Sequence, residues 1–165
     1  MNLAQSPELW FLLAATPIAI WAAYSDLSRM KIPNKAVAAL MLTFLVLGAL
    51  ALPWSEFAWR WVHFVVVLLI GFIASSLGLL GAGDAKFAAA MAPFIALSHV
   101  SYAMFIFAGC IIFGFLTHRL ARSIGPLRRA TPTWVSWENT RQFPMGYPLA
   151  LTLIVYLASI AFRTQ

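Results

Sequence analysis

A chain of 165 residues that is 62% hydrophobic and only 10% charged carries more apolar surface than a water-soluble globule of its size can hide, so its solvent is lipid. The formal net charge of +6 does not point to nucleic acid, because the basic residues form neither a long run nor a strip interleaved with aromatics. The single cysteine, Cys110, sits in an apolar run and can form neither an internal disulfide nor a zinc cluster.

In chain order, Met1 to Glu8 holds no Lys or Arg, unlike the basic leader of a cleaved signal peptide, so the first apolar segment, Leu9 to Tyr24, is expected to be retained. Asp26 follows it directly. Ile32-Pro33-Asn34 reads as the entry to a second segment, Ala36 to Leu52, with Asn34 as its N-cap, and Pro53 closes it. A third runs from Trp61 to Leu80 and is separated by Gly81-Ala82-Gly83 from a fourth, Phe87 to Ser98, whose helix begins near Ala85 with Lys86 snorkelling to the interface. Val100 to Thr117 and Tyr147 to Phe162 complete the set. Between these last two lies a stretch, 118–146, with several prolines and arginines, expected on the cytoplasmic lipid face. Trp10, Trp54, Trp59, Trp61, Trp134 and Trp137 fall near segment ends or in loops, as interface anchors do.

Basic residues choose the topology. If all six segments cross, Arg29, Lys31, Lys35, Lys86, Arg119, Arg122, Arg128, Arg129 and Arg141 share one side, and only Arg60 and Arg163 lie on the other. Nine against two fits the cytoplasmic enrichment of Lys and Arg. The expected fold is therefore all-α: a polytopic membrane protein with six transmembrane helices, both termini outside the cytoplasm. One domain covers residues 1–165, with 118–146 as its arginine-rich cytoplasmic loop.

Only five acidic residues exist, and this topology leaves Asp26, Asp84 and Glu138 on the cytoplasmic side. Asp26 faces the negative end of the first helix dipole, a local cost of roughly 0.3 to 1 kcal/mol if exposed. A residue that breaks a local rule without visible compensation is a candidate for function. Asp84, in Gly81-Ala82-Gly83-Asp84-Ala85-Lys86, reads locally as an N-cap, but the two glycines permit a close backbone approach. Two nearby carboxylates cannot both ionise easily; one can then draw a proton from water while the other protonates a scissile carbonyl. The chain has no HExxH and no serine elbow, and His63, His99 and His118 are scattered without ligand spacing, so they read as packing or interface residues. No metal and no cofactor is expected.

The run Tyr-Ser-Asp-Leu-Ser-Arg-Met-Lys-Ile-Pro-Asn, followed by Gly-Ala-Gly-Asp-Ala-Lys at a second helix start, resembles the type IV prepilin peptidase family of GxGD membrane aspartyl proteases. The resemblance implies Asp26 and Asp84 as the catalytic pair, Gly81 and Gly83 as the loop that shapes the site, and Lys86 and Asn34 as substrate-binding candidates. Phe143-Pro144-Met145-Gly146-Tyr147-Pro148 is similar to the family's Pro-x-Gly-Pro approach to the last helix, with one extra residue before Pro148. With neither the cysteines nor the length for the cysteine-rich domain of larger members, the chain is similar to the minimal peptidases of Flp-type tight-adherence pili; N-methylation is left open, with its absence the expectation. The implied activity is removal of the short basic leader of a prepilin at the cytoplasmic face of the bacterial inner membrane. Partners would be the prepilin helix, membrane lipids and the pilus assembly machinery. Two rivals from other classes are a non-catalytic subunit of a pilus or secretion assembly and an ion-coupled transporter with an Asp84–Lys86 relay. The transporter is disfavoured because both carboxylates sit at segment ends.

Overall fold

The computed structural model describes residues 7–137 and 143–163, without the side chain of Leu127. Glu138 and Arg141 lie outside the described residues. Among the described residues seven α-helices follow one another: α1 (Pro7–Arg29), α2 (Asn34–Ala51), α3 (Trp54–Ser76), α4 (Ala82–Met91), α5 (Val100–Ser123), α6 (Gly125–Ala130) and α7 (Gly146–Arg163). No strand occurs among the described residues. Helices α1, α2, α3, α5 and α7 are long and apolar enough to cross a membrane. The protein is thus an all-α polytopic membrane protein, as its composition requires.

The fourth apolar segment does not supply a sixth helix of full length. It folds as the ten-residue α4 and then as two 3-10 turns, Ala92–Phe94 and Leu97–His99. Pro93 is the reason: it has no N–H to continue the α-helical ladder, and its ring would strike the carbonyl four residues back. The partners of α4 on α3 fix its height. A methyl group on Gly71 would lie 2.9 Å from the Ala85 methyl, and Arg60 donates to the carbonyls of Pro93 and Phe94, each at 3.3 Å. Eleven residues of α3 separate those levels, about 16 Å at 1.5 Å per residue, roughly half of a hydrocarbon core. The Asp84 end of α4 consequently lies below the end of α3 at Ser76.

Helices α1 and α7 form the central pair, flanked by α2 and α5, with α4 enclosed by α2, α3 and α7. Of the apolar stretch of α7, 56% is buried, against 17% for α3 and α5, which makes α7 the axis of the bundle. The buried stripe of α1 runs Phe11, Ala15, Ala19, Ala22 and Asp26. Its alanines let the α7 backbone come close, the usual means of helix association in lipid. On α2 the stripe is Ala36, Leu40, Phe44 and Gly48. Phe44 touches Phe11, Phe57, Trp61 and Phe94 with ring centroids 5.3 to 5.8 Å apart, so the end of the bundle away from Asp26 is an aromatic plug.

Candidate active site

Asp26 does not follow the first span; it lies inside α1, which continues to Arg29. The helix ends at Met30, whose φ of 53° is left-handed and whose N–H donates to the Asp26 carbonyl at 2.8 Å. The chain then turns away, held by the Ser25 hydroxyl, which donates to the Lys31 carbonyl at 2.8 Å. Asp26 is 5% exposed, and its Oδ2 accepts the N–H of Gly146 at 2.7 Å. Gly146 opens α7, so this donor is one of the free amides at a helix N-terminus. The placement that looks unfavourable on α1 is therefore compensated by the positive end of the α7 dipole. That compensation comes from 120 residues away, which is why Asp26 looks unsupported in the sequence.

Asp84 is not the N-cap of α4. Gly81 is the cap and Asp84 stands in the first turn, where its carboxylate accepts the Gly81 N–H, reaching back as the acidic residue of a capping box does. Burial pushes the Asp84 carboxyl up to about 6, opposed by that hydrogen bond. The two carboxylates, from the last turn of α1 and the first turn of α4, lie within Coulombic reach of each other.

Two glycines make this arrangement possible. A methyl group on Gly81 would stand 2.6 Å from Asp84 Oδ2, and one on Gly146 would stand 2.9 Å from Asp26 Oδ2 and 2.8 Å from Ile32 Cδ1. Gly83 is different: a methyl there would meet only Ile32, at an ordinary 3.6 Å. Ile32 therefore sits between the glycine loop and the start of α7, a wedge that sequence reasoning took only as a helix-entry residue.

The remaining candidates stand further out. Lys86 is exposed on α4. Asn34 is the first residue of α2, exposed, and makes no capping hydrogen bond; Pro33 occupies the cap position in its place. Its φ is already set by the ring and its absent N–H costs nothing at a helix start. Pro148 is fully buried against Gly114 of α5, a packing role. Among the described residues no group of three or more His, Cys, Asp or Glu could hold a metal ion. His63 Nδ1 bonds the Ile95 carbonyl at 3.1 Å, His99 Nδ1 bonds the Tyr156 hydroxyl at 3.1 Å, and His118 stacks on Trp137. Trp137 itself, expected as an interface anchor, is buried in that stack.

The all-α bundle, with two carboxylates within Coulombic reach of each other at one end and each held by a backbone amide, is a polytopic membrane protein. Residues 13–118, well over half of the chain, match the Type IV leader peptidase family, and the chain belongs to that family; it is a membrane peptidase. No curated protein and no solved structure matches it. The matched region includes Asp26 and Asp84 and ends before α7, so the Gly146 amide is a contribution that the fold adds to them.

Proposed function

We propose that the chain is an aspartic endopeptidase that removes the short basic leader of a prepilin at the cytoplasmic face of the bacterial inner membrane. The observation that carries this reading is the convergence of Asp26 and Asp84, each with one oxygen committed to a backbone amide and thereby fixed in direction. Two carboxylates within Coulombic reach of each other favour a state in which one is protonated and the other ionised. The ionised one takes a proton from a water molecule, and the water oxygen attacks the scissile carbonyl; the protonated one donates to the carbonyl oxygen. Collapse of the tetrahedral intermediate breaks the C–N bond, with the proton passed to the leaving amine. A carboxyl near 6 suits such exchange at neutral pH. The distribution of Lys and Arg supports a cytoplasmic site. A scissile bond at the junction of a basic leader and a buried helix would reach the rim where the two aspartates stand.

Co-expression with a candidate prepilin, following leader loss on a gel, tests the proposal. Asp26→Asn and Asp84→Asn should each lower processing by at least about a hundredfold, the low end of general acid–base contributions. Full processing by either variant overturns the assignment of the pair.

A further inference from the structure

The chemistry above uses none of the arginines at the corner between α5 and α6. Arg119 and Arg122, in the last turns of α5, and Arg128, on α6, line with Ser123 an open cavity of about 540 Å³. Arg128 also borders a neighbouring cavity of about 460 Å³ that continues past Arg129 to Pro132 and Trp137. Among the described residues no acidic side chain lines either cavity. Among the described residues the one side-chain ion pair, Arg60 with Glu56, lies at the other end of the bundle. Four guanidinium groups thus border one groove with no carboxylate of the described residues on its walls. The groove has a braced wall: the Trp137 indole N–H donates to Thr131 O at 3.1 Å and Oγ1 at 3.0 Å, and its ring stacks on His118 and Trp134. Trp134 in turn meets Tyr24 of α1 at 5.9 Å.

What leads into the groove identifies its occupant. Ile112, Leu116 and Leu120 recur at four-residue spacing along α5, each about 60% exposed to what is lipid in the membrane, and the stripe runs up to Ser123. A ligand that fits both parts has an apolar tail along α5 and an anionic head among the arginines. We propose that this groove binds the phosphate headgroup of an anionic phospholipid, its acyl chains lying on the Ile112–Leu116–Leu120 face. Arginine matches phosphate oxygens bidentately, and each basic residue at a membrane surface adds about fivefold to binding of acidic lipid. Free phosphate has the same head chemistry without the tail, so the two sources are separable.

The experiment is native mass spectrometry of the full chain released from vesicles of equal phosphatidylglycerol and phosphatidylcholine. The parent should retain phosphatidylglycerol in clear excess. Arg119→Gln/Arg122→Gln/Arg128→Gln should lower that retention by at least about tenfold. Arg119 and Arg128 are exposed and Arg122 is half-buried, and an unchanged melting temperature of the variant shows that the fold is kept. A control that loses the same charge elsewhere on that surface, Arg29→Gln/Lys31→Gln/Lys35→Gln, should lose clearly less retention than the groove variant, because it removes surface attraction but no contact to the headgroup. Equal retention by parent and groove variant, or an equal loss in the control, overturns the site. Displacement of the lipid by millimolar inorganic phosphate would assign the groove to a soluble anion and overturn the lipid as its ligand.

Discussion

Gly81 and Gly146 each stand where a methyl group would press on a carboxylate oxygen. What gives way differs between them. At Gly81 the obstacle is the far end of the Asp84 side chain, which can swing aside. Gly81→Ala should therefore lower prepilin processing by at least about tenfold while shifting the melting temperature by no more than a few degrees. At Gly146 the methyl would also meet Asp26 Cβ and Ile32 Cδ1, both packed, so Gly146→Ala should cost about 1 to 3 kcal/mol of stability as well as activity. Gly83→Ala, with only ordinary contact to Ile32, should leave the fold within about 0.5 kcal/mol of the parent. Asp84 also makes a pH prediction. Its carboxyl is raised from 3.8 to about 6, so the folded chain holds the proton more tightly than the unfolded one. The stability it contributes is complete below pH 3.8 and is lost as pH rises through about 6. Asp84→Asn should match the parent near pH 4 and melt higher than it at pH 8, which a thermal-shift series would register. Both aspartates were legible in the sequence, one by its clash with a helix dipole and the other by its glycine loop. The amide that holds Asp26 was not, because nothing near residue 26 announces a donor 120 residues on.

Among the elements, α4 depends most on its neighbours. Its far end has carbonyls beyond the reach of the helical ladder, and Arg60 meets two of them while binding Glu56 Oε1 at 2.6 Å. Arg60 is 7% exposed, so the charge that topology assigned to the outer side is in fact a buried brace. Arg60→Met, similar in length, removes all of these bonds. It should destabilise the protein by about 2 to 4 kcal/mol in a denaturation series, most of that for carbonyls left without a donor. The six apolar segments could be cut from the sequence because their ends carry charges or prolines. The length of the fourth could not be judged the same way: Pro93 lies inside an apolar run, and hydropathy does not register a missing N–H.

At the scale of the whole molecule, the exposed surface of the long helices is apolar. Val65, Val66, Leu69, Ile70 and Phe72 on α3 are 46 to 70% exposed. Val65→Arg, near the middle of α3, should reduce membrane integration by about 2.5 to 3.5 kcal/mol of apparent insertion energy, as a glycosylation-tag insertion assay would report. Fold class followed from composition alone, since only closed hydrogen bonding survives in lipid. The pairing of α1 with α7 did not, because hydropathy separates neither the buried alanines of α1 nor the buried Leu149, Leu153 and Leu157 of α7 from the apolar residues that face lipid.

The bond between the Asp26 carboxylate and the Gly146 amide joins the first helix to the seventh, and so ties the site to the order of synthesis. At 5 to 20 residues per second, roughly ten seconds pass between translation of the acid and translation of its donor. Throughout that interval the nascent chain carries both aspartates without the amide that aims one of them, so under the proposed function cleavage would wait until the bundle is closed.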